Sequence, residues 1–320
     1  MSEKTAPTIS VVIPTFNGSR YIPDCLNSLE QQLRKPEEII LVDDGSTDDT
    51  ASLVASSYPK VRLIELGSNR GFAAAANEGI RHAGGDYVAL LNNDTRATAQ
   101  WLSELERALD ENPSVGSCSS KMLFADRPDV INSIGIGFTC AGTAFDVGYG
   151  KRDGDRYDRP RPIFGACAGA AMYKRKLFDE VGLFDEDLFM WYEDADLSFR
   201  AQLAGYKCRY VPTAVVYHVG GGTASPANKS HIYYCSRNQI LVLAKNLPDS
   251  LRYRYFGRLI PACLKHSIKT LLSGETTVTR GYLAALKELK YFVKKNRITA
   301  YRTRVSVGEI LCSLEMDSIS

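Results

Sequence analysis

The chain has 320 residues, of which 44% are hydrophobic and 24% are charged, and its formal net charge is +2. This size allows a full hydrophobic core, either as one large domain or as one domain with an appendage. No uninterrupted apolar run approaches the roughly 18 residues that a membrane-spanning helix needs. The charge is unevenly distributed, because residues 1–230 carry 24 Lys and Arg against 31 Asp and Glu, whereas residues 231–304 carry 15 against 3.

The eight cysteines are scattered along the chain and form no C-x-x-C pair. This pattern is typical of reduced thiols in a cytosolic protein, and it favours neither a disulfide framework nor a structural zinc site. The N-terminal segment Met1–Pro7 is polar and contains no apolar signal region. We therefore expect a cytoplasmic protein.

The first hundred residues alternate between predicted strands and predicted helices. The strands lie at 9–13, 38–42, 61–66 and 86–91, and the helices between them lie at 21–33, 48–57 and 71–82. Alternation at this spacing predicts right-handed crossovers and a parallel sheet. The expected fold class is therefore α/β, in which ligands bind beyond the carboxyl ends of the strands.

Polar or acidic residues follow three of these strands where they end. The first strand is followed by Pro14–Gly18, the second by Asp43–Asp48 and the fourth by Asn92–Thr95. The three groups should therefore converge on one crevice. Neither G-x-G-x-x-G nor G-x-x-x-x-G-K-[ST] is present, which argues against a dinucleotide-binding Rossmann domain and against a P-loop.

The acids in these groups allow a functional and a structural interpretation. Asp94 is suited to hold Mg²⁺ or Mn²⁺, which prefer oxygen ligands, although an acid after a strand also caps turns. Asp43 and Asp44 could accept hydrogen bonds from a nucleoside, or they could help to begin the next helix. His218 follows a predicted strand, where it could serve as a ligand or as a structural residue.

The second half of the chain is less regular. A helix is predicted at 101–112, the periodicity weakens over 115–165, and helical signals resume at 174–181 and 193–204. Two strands are predicted at 208–211 and 214–217, and the chain reads as mostly helical from residue 231 onward.

The helix predicted at 193–204 begins with three carboxylates in four positions. Glu193, Asp194 and Asp196 follow Trp191 and Tyr192 directly. Acids in a first helical turn offset the unsatisfied N–H groups and the helix dipole, which is the structural interpretation. The functional interpretation is a base that takes a proton from a sugar hydroxyl next to an apolar face for the ring.

The ordered set of motifs over residues 8–246 resembles family 2 glycosyltransferases of the GT-A fold. Within that family it is most similar to the branch of rhamnosyltransferases and galactofuranosyltransferases of polysaccharide and cell-envelope assembly. The motifs are Val11–Asn17, Val42–Asp48, Asn69–Phe72 with Asn77, Leu91–Asp94, Gly182–Asp185, Tyr192–Leu197, Val216–His218 and Arg237–Asn238.

The resemblance implies an inverting transfer of a sugar from a nucleotide-diphosphate donor, with a mostly parallel central sheet flanked by helices and a helical C-terminal extension. It implies Asp194 as the catalytic base, Glu193 as its alternative and Asp196 as an orienting acid, with Trp191 and Tyr192 contacting the acceptor. The implied nucleotide-sugar positions are Pro14, Thr15, Asn17, Asp43, Asp44, Asn69, Gly71, Asn77, Asn92 and Asn93.

The resemblance also implies a divalent metal, Mg²⁺ or Mn²⁺, held by Asp94 and His218. Asn92 stands where the family usually has the first acid of its D-x-D motif. The metal would then rest on one carboxylate, one imidazole and the diphosphate of the donor.

The expected domains are a GT-A catalytic domain at 1–230, with a nucleotide-sugar half at about 8–112 and an acceptor half at 113–230, and a basic helical region at 231–320. Residues 252–272 read as a helix with one basic stripe, interrupted by Pro261. Such a helix can lie on the inner face of an anionic membrane, or it can pack on the catalytic domain and expose a solvated face. No nucleic-acid-binding module is evident.

The expected partners are a dTDP- or UDP-sugar donor, with dTDP-rhamnose first, and a glycan or polyprenol-linked acceptor.

The residues leave two alternative functions open. A sugar-1-phosphate nucleotidyltransferase shares such a sheet, but it usually carries a glycine-rich basic loop where this chain has Pro14–Gly18. A non-catalytic protein that binds nucleotide-sugars or glycans is the second alternative.

Overall fold

The structure is a computed structural model that describes residues 6–139, 142–220, 228–300 and 303–315. Most of the polar segment Met1–Pro7 lies outside these ranges. The strands are β1 Ile9–Thr15, β2 Glu38–Asp43, β3 Arg62–Glu65, β4 Tyr87–Leu91, β5 Thr95–Ala97, β6 Val115–Phe124, β7 Ile131–Ser133, β8 Ile136–Phe138, β9 Ala144–Asp146, β10 Arg161–Ile163, β11 Ala170–Lys174 and β12 Lys207–His218.

The helices up to residue 204 begin and end close to where the sequence predicts them, and the chain after residue 228 is mostly helical, as expected. They are α1 Ile22–Glu30, α2 Thr50–Ser57, α3 Phe72–His82, α4 Trp101–Asp110, α5 Arg175–Val181, α6 Glu193–Leu203, α7 Lys229–Asn246, α8 Asp249–Leu272, α9 Thr277–Ala300 and α10 Val307–Glu315. The predicted alternation of strands and helices over the first hundred residues is confirmed.

One large sheet organises the fold, with strand order β10-β12-β6-β11-β4-β1-β2-β3. The strands β3, β2, β1 and β4 are parallel neighbours, as the sequence predicts. Beyond β4 the sheet is mixed, because β11 is antiparallel to both β4 and β6 whereas β6 and β12 run parallel. The carboxyl ends of β1, β2 and β4 therefore meet at one edge, where the predicted polar groups begin.

Small residues let α3 lie close to the sheet. A Cβ atom at Gly79 would stand 2.2 Å from a methyl group of Val12, so only glycine fits this contact. Ala73, Ala74, Ala75 and Ala76 are buried in the first turns of the same helix. The close packing fixes the position of the loop that enters α3, and this loop forms part of the site described below.

The two strands predicted at 208–211 and 214–217 are one strand in the structure. β12 continues from Lys207 to His218, and its register against β6 shifts between Val211 and Val215. Pro212 lies in that gap, and proline lacks the N–H group that a regular ladder requires. The prediction of two strands was wrong because such a local irregularity interrupts the pattern without ending the strand.

The C-terminal helices share a hydrophobic core with the sheet-bearing part of the chain. This core contains Phe138, Phe164 and Phe199 from the first part, and Leu241, Leu243 and Phe292 from α7 and α9, all of them buried. Within the described ranges, no helix is both long enough and apolar enough to cross a bilayer. The boundary predicted at residue 230 stays a prediction.

Candidate active site

A cavity of about 1250 Å³ opens at the carboxyl edge of the sheet. Its volume exceeds the roughly 300–1,000 Å³ of a typical small-ligand site, so two substrates could be held together. Thirteen residues predicted for the site line it: Pro14, Thr15, Asp44, Asn69, Gly71, Asn92, Asn93, Asp94, Trp191, Tyr192, Glu193, Asp194 and His218.

Asp44 shapes the wall that the ends of β1, β2 and β4 form. Its two carboxylate oxygens accept hydrogen bonds from the backbone N–H groups of Arg70 (2.7 Å) and Gly71 (2.8 Å). Burial raises the pKa of Asp44, although these two hydrogen bonds oppose the shift. Gly71 has φ of +88°, and a Cβ there would lie 2.5 Å from the carbonyl oxygen of Phe189. This position therefore requires glycine.

The ends of β1 and β4 are joined by a side-chain hydrogen bond. The amide of Asn93 donates to the hydroxyl of Thr15 at 2.6 Å. Next to them, the backbone N–H of Asn92 donates to the carbonyl oxygen of Gly169 at 2.8 Å. These bonds hold the polar strand ends in fixed positions before any ligand binds.

Three residues predicted to bind the nucleotide-sugar do not line the cavity. Asn17 accepts a hydrogen bond from the backbone N–H of Thr47 at 2.8 Å, and the buried Asp43 accepts from Ser46. Asn77 is buried and bonds reciprocally with the backbone of Phe184, at 2.9 Å in both directions. All three bond to loops around the cavity, and their predicted contact with the nucleotide-sugar stays a prediction.

Asp94 and His218, the predicted metal ligands, are neighbours in the cavity wall. Asp94 Oδ1 lies 3.1 Å from His218 Nε2. The other ring nitrogen, Nδ1, is 3.0 Å from Oδ1 of Asn132, and an amide oxygen can only accept a hydrogen bond. With Nδ1 donating this hydrogen bond, Nε2 faces the carboxylate of Asp94.

This pair fits a divalent cation. Two acceptors that face each other at 3.1 Å need a proton or a cation between them. Adjacent ligands of an octahedral ion with bonds of about 2.1 Å are about 3 Å apart, which matches the separation observed here. The bond to Asn132 is the kind of outer contact that orients a ligating histidine. Among the residues that the structure describes, no group of three or more His, Cys, Asp or Glu is arranged to hold a metal.

Asp194 lies in the first turn of α6 and lines the same cavity. Its Oδ1 accepts a hydrogen bond from the backbone N–H of Ala195 at 2.7 Å, and its Oδ2 a long one from Ala168 at 3.4 Å. Burial, and next the negative charge of Asp146, raise the pKa of Asp194 to about 7. A carboxylate with this pKa can accept and release a proton near neutral pH.

Glu193 is buried beside Asp194. Burial and the neighbouring charges of Asp194 and Asp196 raise its pKa well above the usual range. Its Oε2 has no hydrogen-bond partner among the described residues. Its raised pKa and unpartnered oxygen distinguish Glu193 from Asp194, whose two oxygens both accept hydrogen bonds from the backbone.

Asp196 lies outside the cavity. It is fully buried, and its carboxylate is paired with Arg200 at 2.8 Å, with Lys245 at 2.8 Å and with the amide of Asn246 at 2.7 Å. Burial alone would raise its pKa, but the charges of Arg200 and Lys245 prevail and lower it. Asp196 therefore connects α6 to α7, and it does not face a reacting group.

The segment that enters α6 has an unusual backbone. Phe189, Trp191 and Tyr192 have φ values of +66°, +60° and +71°, a region that residues other than glycine rarely adopt. The buried amide of Asn238, on α7, donates to the carbonyl oxygens of Leu188 at 2.9 Å, Met190 at 3.0 Å and Trp191 at 2.8 Å. Helix α7 thus holds this conformation from behind the cavity.

Aromatic rings form one side of the cavity mouth. We call Phe189, Trp191, His231 and Tyr234 the aromatic wall, and all four line the cavity. Phe189 stacks on Tyr234 with ring centres 5.1 Å apart, and the edge of His231 meets Trp191 at 4.9 Å. Such apolar faces suit the stacking of sugar rings. His231 and Tyr234 were not predicted from the sequence, although their i, i+3 spacing on α7 could have indicated a shared face.

Asp146 was also not predicted from the sequence. It ends β9, lines the cavity, and affects Asp194 through its charge. Burial raises the pKa of Asp146, while hydrogen bonds from Ser133 and Cys167 oppose the rise. Its only sequence signal was an acid between Phe145 and Val147 in a region without clear periodicity.

Residues 10–182, more than half of the chain, match the family described as Glycosyl transferase family 2. Among curated proteins, the N-acetylglucosaminyl-diphospho-decaprenol L-rhamnosyltransferase of Mycobacterium tuberculosis is 26% identical over 260 residues. The match covers 74% of this chain and 84% of that protein.

Two solved structures are similar in fold. TarS residues 1–349 from S. aureus has a TM-score of 0.57 at 19% identity, with 98% of this chain and 90% of that chain covered. The mannosyltransferase PcManGT from Pyrobaculum calidifontis, solved with GDP-Man and Mn²⁺, has a TM-score of 0.56 at 19% identity, with 97% and 88% covered. The expected GT-A fold is confirmed, and the chain belongs to glycosyl transferase family 2 and is a glycosyltransferase.

Proposed function

We propose that the protein is an inverting glycosyltransferase that uses a divalent cation. It transfers a sugar from a nucleotide-diphosphate donor to a hydroxyl group of a glycan or a polyprenol-linked glycan. The observation that carries the proposal is one cavity whose walls hold both the Asp94–His218 pair and Asp194, whose pKa of about 7 suits a base. Rhamnose from a dTDP donor is the first candidate sugar, supported by the rhamnosyltransferase relative.

The donor is assigned to the wall at the strand ends. Thr15, Asp44, Asn69 and Asn93 present hydroxyl, carboxylate and amide groups that can bind a base and a ribose, and Gly71 lets the backbone approach closely. Asp94 and His218 would hold Mg²⁺ or Mn²⁺, whose bound charge offsets the negative charge of the diphosphate leaving group. Mg²⁺ is usually bound by one or two protein ligands together with phosphate oxygens, which supports a site with two protein ligands.

The acceptor is assigned to the aromatic wall. A sugar ring stacked on Trp191 would place its hydroxyl near Asp194, since Trp191 and Asp194 are three residues apart and line the same cavity. Asp194 accepts the proton of this hydroxyl while the oxygen bonds to the anomeric carbon and the carbon–oxygen bond to the diphosphate breaks. Attack from the face opposite the leaving group inverts the anomeric configuration. Burial and the charge of Asp194 raise the pKa of Glu193, which disfavours a second negative charge beside the base.

A donor panel tests this proposal. The purified protein is heated with dTDP-, UDP- and GDP-sugars in the presence of Mg²⁺, and the best donor is then incubated with lipid-linked N-acetylglucosamine acceptors. A donor at 100 times its dissociation constant adds about 2.7 kcal/mol to the stability of the protein.

The anomeric configuration of the product is read by NMR. We expect stabilisation by one donor class, transfer to an acceptor and an inverted anomeric centre. Retention of configuration would contradict the mechanism, and donor binding without transfer to any acceptor would favour the non-catalytic alternative. Formation of a nucleotide-sugar from a sugar-1-phosphate would favour the nucleotidyltransferase alternative.

A further inference from the structure

Helix α8 has two faces with different surroundings. Leu251, Tyr255, Leu259 and Cys263 recur every four residues, and all are buried in the core shared with the sheet-bearing part. The helix therefore packs on the protein through one face, as one interpretation of its sequence predicted. Its remaining surface, however, is not simply polar.

An apolar stripe lies on the outside of α8. Its members are separated by three, four or seven residues, so they share one side of the helix. The stripe consists of Tyr253, Ile260, Leu264, Ile268 and Leu271, whose exposed fractions are 91%, 53%, 60%, 58% and 47%. The apolar residues of α8 thus divide between a buried face and an exposed face.

A basic stripe runs beside the apolar stripe. Its members Arg254, Arg258, Lys265 and Lys269 are all exposed. Arg254, Lys265 and Lys269 each follow a residue of the apolar stripe by one position, which is a rotation of about 100° around the helix, and Arg258 lies one turn after Arg254. The next helix continues the same composition, with exposed Leu283 and Leu286 and with exposed lysines at 287, 290 and 294. The outer surface of these two helices is thus both apolar and cationic.

We propose that α8 binds the surface of an anionic lipid bilayer. The apolar stripe enters the boundary between headgroups and acyl chains, while the adjacent basic stripe contacts the lipid phosphates. Each lysine or arginine near an anionic membrane strengthens binding about fivefold. The stripe of five apolar side chains supplies the burial that charge alone does not.

Charge complementarity favours an anionic bilayer over a second copy of the chain as the partner that binds the two stripes of α8. If two copies paired their apolar stripes about a two-fold axis, each would bring its four cations close to those of its partner. Residues 231–304 contain only three acids against 15 basic residues, so little negative charge is available to offset this repulsion. An anionic bilayer accepts both stripes at once. The inference concerns surface docking alone and does not depend on the proposed function.

Flotation with vesicles tests the inference. The full-length protein is mixed with vesicles of phosphatidylcholine alone or of phosphatidylcholine and phosphatidylglycerol in equal parts, and the bound fraction is measured at low and high salt. We expect binding to the anionic vesicles only, and we expect it to decrease with salt. Equal binding to both vesicle types, or binding that salt does not weaken, would overturn the inference.

Matched variants locate the surface. Lys265→Gln with Lys269→Gln should weaken binding about 30-fold, whereas Lys60→Gln with Lys151→Gln, two exposed lysines outside the C-terminal helices, should leave it unchanged. Leu264→Ser should weaken binding about tenfold. Leu33→Ser, at a residue 70% exposed, should not. Equal losses in the control variants would refute the assignment to α8.

A measurement of mass completes the test. Analytical ultracentrifugation without lipid should give the same molecular mass for the wild-type protein and for Leu264→Ser. A dimer that depends on Leu264, together with no vesicle binding, would assign the apolar stripe to a second copy of the chain and overturn the inference.

Discussion

The two walls of the cavity differ in how their polar groups are satisfied. On the strand-end wall, Asp44 is held by two backbone N–H groups, and Asn93 bonds to Thr15. On the α6 wall, Glu193 has an oxygen without a partner among the described residues, and the pKa values of Asp194 and Asp146 are raised. The first wall is arranged for binding, since its groups are already fixed. Burial raises the pKa of Asp44 on the first wall as well, but only the second wall holds an acid, Asp194, whose pKa is raised to about 7, which suits proton transfer.

Cation removal should give the largest effect, because a bound cation would offset the charge of the leaving diphosphate. Excess chelator should abolish transfer, and Mg²⁺ or Mn²⁺ should restore it. Asp94→Asn should raise the Mn²⁺ concentration needed for half-maximal activity at least tenfold, because it removes the one carboxylate of the pair. Transfer rates measured across a metal titration check both expectations. Full activity in excess chelator would refute the metal role of Asp94 and His218.

The next largest effect should come from the α6 wall alone. Asp194→Asn preserves the shape of the side chain but removes its ability to accept a proton, so turnover should decrease at least ~100-fold while donor affinity is retained. Initial rates and thermal shifts with donor separate the two quantities. Asp179→Asn, at an exposed acid away from the cavity, is the control and should behave like wild type. Near-normal turnover of Asp194→Asn would reject its assignment as the base.

A smaller effect is expected from the support behind the α6 wall. Asn238→Ala removes three hydrogen bonds to the carbonyl oxygens of Leu188, Met190 and Trp191. The strained segment should then relax and shift Trp191 and Asp194, so that kcat decreases about tenfold while donor affinity changes little.

The unpaired carbonyl groups should also cost about 1–3 kcal/mol of unfolding free energy. Asn27→Ala, at an exposed residue of α1, controls for the loss of an asparagine. A loss of stability without a decrease in kcat at a temperature where the variant is folded would limit Asn238 to a structural role.

The smallest expected effect is a shift in pH dependence. Asp194 must be deprotonated to act, so activity should rise with pH through about 7. Asp146→Asn removes a negative charge that raises the pKa of Asp194. The pKa of Asp194 should therefore decrease, so that Asp194 ionises at lower pH. The rising limb of the profile should move to lower pH by about one unit. A shift to higher pH, or none, would show that Asp146 does not influence the base.

The same contrast explains what the sequence could predict. Thr15, Asp44, Asn93 and Asp94 were predicted for the site because buried strands end at them, and the topology of a parallel sheet then requires these ends to meet. Asp194 was predicted for the site because three acids after two aromatic residues are unusual. These signals are local, and they can be recognised in the sequence without knowledge of the tertiary structure.

Asp146 and His231 gave no comparable signal for a role in the site. Asp146 comes from a short hairpin in a segment without periodicity, and His231 lies on a helix that reaches the cavity only through tertiary packing. Asn17, Asp43 and Asn77 lie near the predicted edge, but their side chains bond to loops and do not line the cavity. Sequence position identified the neighbourhood of each side chain, and only the hydrogen bonds showed which way it pointed.

A crystal structure with Mn²⁺ and an intact nucleotide-diphosphate sugar would show directly whether one cavity holds the metal and the reacting sugar. We expect an anomalous peak for manganese within coordination distance of Asp94 Oδ1 and His218 Nε2, with the anomeric carbon facing the carboxylate of Asp194. Manganese bound by other residues, or a sugar turned away from Asp194, would contradict it.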